Sequence, residues 1–171
     1  MKSLALMQHL GLPYFSIDGV YYQGEESEVK EDYNNSDFAN VDFSNFPEYC
    51  AENCLPVEED HTEIDDDYLV LTDEEADEAA KEYIKESVWA FNAGFIINHS
   101  KLPYEAIEMV EFFQREKCEG ANDTVLALIN DFDDFVSDAI SADGRGHFLS
   151  TYDGEENEET VNGETYFIYR E

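Results

Sequence analysis

Asp and Glu outnumber Lys and Arg by 42 to 9 in this chain of 171 residues, a formal net charge of −33. No other feature constrains the fold so tightly. Like charges at this density repel one another and oppose any compact state. A folded form therefore needs a strong apolar interior and a surface that spreads the charge. The interior is available, because 43% of the residues are hydrophobic and 14% aromatic. High charge with low hydrophobicity would leave a chain disordered, whereas this composition supports a core for one domain or two small ones. Loose segments are expected at 24–46 and 56–67. An acidic skin suited to high salt, where ions screen the repulsion, would account for the charge but calls for no such aromatic content.

The charge is not a tail. Residues 1–67 carry 17 acids and 2 bases, residues 68–144 carry 18 and 5, and residues 145–171 carry 7 and 2. Acidic helices ordinarily recruit Lys four residues away to relieve repulsion, and this chain mostly does not. Duplex DNA carries one negative charge per ~1.7 Å of axis, so the 33 net charges correspond to roughly 56 Å of duplex. A folded chain of this length has a radius of gyration of about 15 Å. The density of charge is DNA-like, and it predicts a partner with a basic, DNA-binding surface.

The periodicity predicts an α+β fold, in which three amphipathic helices pack with a small, mainly antiparallel sheet under an acidic surface. Residues 3–10 have helical spacing and stop at Gly11. Tyr14 to Tyr22 reads as a hairpin turning on Asp18-Gly19. Residues 24–46 read as a loop or irregular strand held by Tyr33, Phe38, Phe43 and Phe46, and Pro47 to Cys54 as one or two helical turns. The acidic link at 56–67 separates an N-terminal region, 1–67, from a C-terminal α+β domain, 68–171. In the latter, Tyr68 to Leu71 is a strand and Thr72 to Glu75 a capping box. One helix carries Ala76, Ala80, Tyr83, Ile84, Val88, Phe91 and Phe95. A second runs from Pro103 to about Lys117. A third, capped by Asn122, carries the stripe Val125, Leu128, Ile129, Phe132, Phe135, Val136, Ala139 and Ile140. His147 to Tyr152 and Thr165 to Tyr169 read as two strands joined by one long acidic loop, Asp153 to Glu164.

Signals of chemistry are sparse. With so many acids, adjacent carboxylate pairs arise by chance, and neither Asp131 to Asp134 nor Asp153 to Glu156 supplies an EF-hand loop. Surface carboxylates of this density hold divalent cations loosely, without a dedicated site. Cys50, Cys54 and His61 lack a fourth ligand at zinc spacing, and the two cysteines read as half-buried core residues. No phosphate-binding, dinucleotide-binding or nucleophile-elbow motif is present. No catalytic residue, metal or cofactor is expected. An odd count of three cysteines, no signal-peptide apolar region after Met1 and no apolar run near ~18 residues predict a cytoplasmic protein with reduced thiols, off the membrane. The segment Ser141 to Glu156 looks specified beyond charge. It reads as a helix end, a Gly144-Arg145-Gly146 turn and entry to a strand, with Arg145 pairing a carboxylate. Alternatively, Asp143, Arg145 and His147 make a small ligand or active site.

Leu71-Thr72-Asp73-Glu74-Glu75-Ala76-Asp77-Glu78, Glu86-Ser87-Val88-Trp89-Ala90-Phe91-Asn92, Lys117-Cys118-Glu119-Gly120-Ala121-Asn122-Asp123 and Ser141 to Glu158 resemble a family of small acidic proteins of tailed bacteriophages. The likeness spans about 69–171. It implies a phage or prophage origin, hence the cytoplasm of a host bacterium, and carries no activity with it. In charge and size the chain is also similar, by analogy and without a shared motif, to phage and plasmid antirestriction DNA mimics.

These readings converge on an expectation. A DNA mimic would occupy the basic cleft of a host defence protein, a restriction–modification enzyme or a CRISPR effector, without binding nucleic acid itself. The sequence leaves a homodimer open. The candidate contacts are the dense acidic runs: Glu25, Glu26, Glu28, Glu58, Glu59, Asp60, Asp65, Asp66, Asp67, Asp73, Glu74, Glu75, Asp131, Asp133, Asp134, Glu155, Glu156, Glu158 and Glu159. The alternatives are the ligand site or small enzyme at Asp143 to His147, and an acidic adaptor for a basic host protein without mimicry.

Overall fold

The computed structural model describes residues 1–36 and 45–171. Phe38 and Phe43, two of the expected aromatic anchors, lie outside the described residues. The chain divides into two units, Met1–Leu71 with Asn157–Ile168, and Thr72–Glu156 with Tyr169–Glu171.

In the first unit, helix α1 (Lys2–Leu10) ends where Gly11 turns left-handed at φ 66° and its N–H reaches back to the Gln8 carbonyl. Glycine takes that conformation without a Cβ penalty. Leu4, Ala5 and Leu6 of α1 are buried against Val70, Val161, Tyr166 and Ile168. Strands β1 (Tyr14–Ile17) and β2 (Val20–Gln23) form an antiparallel hairpin. Asp18 and Gly19 both have positive φ, 51° and 83°, which matches the twist of the two strands. Phe15 and Tyr22 face each other across the hairpin and stack at 5.6 Å. They share a second core with Tyr33, Phe46 and Cys50.

The loop expected after the hairpin is a helix in part. Helix α2 (Glu26–Asn35) opens on Glu26 and Glu28, which suit the positive end of the helix dipole. Lys30 returns to Glu26 at 2.7 Å, and the fully buried Tyr33 anchors the last turn against Phe46 and Tyr49. Helix α3 (Phe46–Asn53) carries Pro47 in its first turn, as expected. Strand β3 (Tyr68–Leu71) joins β4 (Asn157–Val161) and β5 (Glu164–Arg170) in the order β3-β5-β4, with β4 and β5 antiparallel. The long loop expected from Asp153 to Glu164 is therefore half strand. The hairpin turns on Asn162 and Gly163 at φ 54° and 84°.

The second unit holds more helices than the three expected, and each break has a local cause. Helix α4 (Asp73–Ser87) begins at the full capping box: Thr72 Oγ1 accepts from Glu75 N–H, and Glu75 accepts from Thr72 N–H at 2.8 Å. It buries Ala76, Ala80 and Ile84. The expected continuation to Phe95 stops because Asn92 caps a new helix, α5 (Ala93–Asn98), with its side chain accepting from Gly94 and Phe95 N–H. Helix α6 (Ile107–Lys117) follows a single 3-10 turn at Tyr104–Ala106. The third expected helix is two, α7 (Asn122–Leu126) and α8 (Phe132–Asp143), because Asp131 caps α8 by accepting from Asp134 N–H at 3.2 Å. Asn122 does not cap α7. Its side chain accepts from Trp89 N–H and donates to the Lys85 carbonyl, tying the end of α4 to α7. The strand expected from His147 is instead helix α9 (Arg145–Leu149). Phe148 and Leu149 bury on one side of a single turn, and three aromatic or apolar positions in a row do not distinguish that from a strand. Among the described residues no helix is long and apolar enough to cross a membrane.

Candidate functional site

Gly144 has φ 78° and separates α8 from α9. This reversal places Arg145 in the second unit with a side chain only 10% exposed. Its guanidinium donates to Asp73 Oδ1 at 2.8 Å, Asp77 Oδ1 at 3.0 Å and Glu156 Oε2 at 2.9 Å. Tyr169 adds a hydrogen bond from its hydroxyl to Glu156 Oε2 at 2.6 Å. Burial works against the charge of Arg145, but its bonds to Glu156 and Asp73 outweigh that and hold its pKa above the ordinary value. Burial, followed by the bond to Glu156 and the charge of that carboxylate, raises Tyr169 well above the usual phenol. One cation thus gathers α4, α9, the 153–156 turn and the end of β5.

A folded-state phenol pKa above the unfolded value means that the folded form holds its proton more tightly. The corresponding stability is complete below about pH 10 and is lost as pH rises beyond it. Alkaline unfolding monitored by circular dichroism should therefore steepen above about pH 10, and Tyr169→Phe should flatten that limb. An unchanged alkaline limb in the variant would remove Tyr169 from the account.

Gly146 explains the other half of the Gly-x-Gly pattern. A Cβ there would sit 2.5 Å from the Gly154 carbonyl oxygen and 2.7 Å from the Glu155 carbonyl carbon. The turn it packs against is fixed by Asp153, which accepts from Ser150 Oγ at 2.7 Å and Glu155 N–H at 2.9 Å. Those bonds, the backbone one first, hold the Asp153 carboxyl below the usual range. Gly146→Ala should cost about 2–3 kcal/mol, since the obstructing atoms are backbone. Urea denaturation measures it, and a midpoint equal to the parent would show that the turn yields freely.

Arg145 lines neither of two pockets in this unit: one, of about 480 Å³, runs past Glu74, Asp77, Glu78, Lys81 and Asp133, and the other is aromatic. The aromatic pocket, of about 380 Å³, is lined by Tyr83, Ser87, Ala90, Phe91, Asn92, Phe95, Ala139, Ala142, Asp143, His147 and Phe148. Phe91 stacks on Phe148 at 6.2 Å and on Phe95 at 6.0 Å, and Tyr83 lies 6.1 Å from Phe148. Asp143 and His147 stand at its exposed edge. Of the trio singled out in the sequence, the structure brings two to the pocket and turns the third into an ion-pair hub.

No protein-family model, curated protein or solved structure matches this chain. The candidate acids therefore stand on their geometry. Several have local structural work: Glu26 pairs with Lys30, Asp133 with Lys81 at 2.7 Å, and Asp73 and Glu156 with Arg145. Asp60 accepts from Thr62 N–H and Oγ1, which lowers its carboxyl pKa. Asp65 accepts from Asp67 N–H, Glu75 and Asp131 cap helices, and Glu159 accepts from Gln8 at 2.6 Å. Asp134 lies 3.8 Å from His99 Nδ1, and Asp138 lies 3.5 Å from its Nε2. Glu25, Glu28, Glu58, Glu59, Asp66, Asp67, Glu74, Glu155 and Glu158 are exposed, with no side-chain partner among the described residues.

Among the described residues, two groups draw metal-type ligand atoms within 4.8 Å of one another, His99 with Asp134 and Asp138, and Asp65 with Asp66 and Asp67. Cys50, Cys54 and His61 form no such group. Burial, with help from Cys54, pushes the Cys50 thiol up to about 12. His61 places Nε2 3.0 Å from the Tyr68 carbonyl oxygen. The aromatic pocket escaped sequence reasoning because its rings come from separate stretches, Tyr83 on α4, Phe91 in the bend after it, Phe95 on α5 and Phe148 on α9. The only available signal was Phe91 and Phe95 at helical spacing, which any core stripe shares.

Proposed function

We propose that this chain is a phage-encoded DNA mimic that occupies the basic cleft of a host DNA-binding defence protein. The observation that carries the reading is the division of labour among the charges. In the second unit, Lys81, Lys85 and Arg145 are engaged with carboxylates of the chain itself. Meanwhile Glu74 and Glu155 there, and Glu28, Glu58, Glu59, Asp66, Asp67 and Glu158 in the first unit, remain exposed and unpaired among the described residues. The paired cations offset only the few carboxylates they meet, Lys101 and Lys117 are exposed without an ion pair among the described residues, and the net charge stays at −33. A basic groove meeting such carboxylates gains electrostatic steering and releases its own counterions. Capped helices and two apolar cores supply the rigidity that spacing demands.

The test is competition on a partner captured from host lysate. Excess duplex DNA should displace this protein, and simultaneous binding without mutual loss would replace mimicry with the adaptor reading. Asp66→Asn alone should change affinity little, since a surface ion pair is worth about 0–1 kcal/mol. Neutralising Glu58, Glu59, Asp66 and Asp67 together should raise the dissociation rate if that run faces the cleft. The second reading, a ligand site at Asp143 to His147, is favoured by the pocket that both residues line.

A further inference from the structure

We infer that the aromatic pocket of the second unit is a receptor for a single arginine or lysine side chain presented by the basic partner. The inference rests on the mimic reading for the source of that side chain, while the pocket's own chemistry names the ligand class. Its volume of about 380 Å³ lies within the range of small-ligand clefts, about 300–1,000 Å³. The walls are Tyr83, Phe91, Phe95 and Phe148, whose ring centroids lie 6.0–6.2 Å from their neighbours. Aromatic faces attract cations through the ring quadrupole, most strongly where water is excluded.

The edge supplies the opposite charge. Asp143 is the one carboxylate in the lining, and it has no hydrogen-bond or ion-pair partner among the described residues. It is also the last residue of the twelve-residue α8, whose C-terminal end carries partial negative charge. No Lys or Arg lines the pocket. The nearby Arg145 is committed to Asp73, Asp77 and Glu156, so no Lys or Arg competes for the place, and His147 is the one basic side chain in the lining. A neutral apolar ligand would use the rings and ignore Asp143, and an anion would be repelled. A guanidinium or ammonium on an alkyl stem uses both.

The measurement is titration with N-acetyl-arginine amide, followed by NMR of the aromatic side chains. N-acetyl-citrulline amide serves as the uncharged isostere. Saturable shifts at Tyr83, Phe91 and Phe148 are expected with arginine and not with citrulline. Asp143→Asn should weaken arginine binding about fivefold, the loss of one carboxylate beside aromatic faces. Glu108→Gln removes the same charge from an exposed acid on α6 and should leave the affinity unchanged. Tyr83→Leu, at a ring 48% exposed, tests the walls without risk to the core and should weaken binding similarly. Equal binding of citrulline, shifts scattered over the surface, or equal losses in Asp143→Asn and Glu108→Gln would overturn the assignment. DNA competition on the captured partner reads the mimic proposal separately. Failure there, with arginine still seated on the rings, removes the proposed source and leaves the pocket. Success there, with no arginine binding, removes the pocket alone.

Discussion

Arg145→Ala should destabilise the second unit by about 3 kcal/mol and lower Tm by roughly 6–12 °C. The reason is what remains behind. Asp73, Asp77 and Glu156 converge on the guanidinium within 3.0 Å, and without it they repel one another in a chain of net charge −33. Asp73 and Asp77 keep side chains 73% and 64% exposed, so water relieves part of the penalty, and the figure sits at the low end for breaking a buried pair. Arg145→Lys restores the charge but cannot fork toward three partners, and should recover less than half of the loss. Chemical denaturation followed by circular dichroism checks both. A loss below about 0.5 kcal/mol in Arg145→Ala would show that the hub is incidental to stability.

The second large effect is on binding. If exposed carboxylates meet Lys and Arg of a basic cleft, affinity for the captured partner should fall about 10–100-fold between about 50 and 200 mM salt. The expected slope is shallower than for DNA itself, because separate carboxylates condense fewer counterions than a phosphate chain. A titration by surface plasmon resonance reads it directly. A flat profile would sink the electrostatic account and leave apolar contacts to carry any complex.

The sequence was legible where a backbone conformation or a cap demands particular residues. Asp18-Gly19 announced the first hairpin, Gly11 the end of α1, and Thr72 with Glu75 the start of α4. Asn162-Gly163 carried the same hairpin signal as Asp18-Gly19, and the acidic run around it hid the strand β4. The breaks at Asn92 and Asp131 were obscured differently, since both caps lie inside apolar stripes that continue past them at helical spacing. Helix α2 was unreadable from periodicity, because its polar sequence offers little beyond Val29 and Tyr33 to bury. The Asp143 to His147 segment stood out by its residues, but its sequence could not divide the labour. Only the fold sends Arg145 to α4 and Glu156 while leaving Asp143 and His147 at the pocket.

The cysteines make the native chain its own optical reporter. Cys50 is buried with its thiol pushed up to about 12, Cys54 is half-buried, and Cys118 is exposed just beyond α6. A thiol-directed dye at neutral pH meets Cys118 first, because reactivity follows access and thiolate fraction. The fluorophore then rides on the same unit as the aromatic pocket, with no engineered cysteine, and the salt and competition titrations can be followed by anisotropy on otherwise unaltered protein.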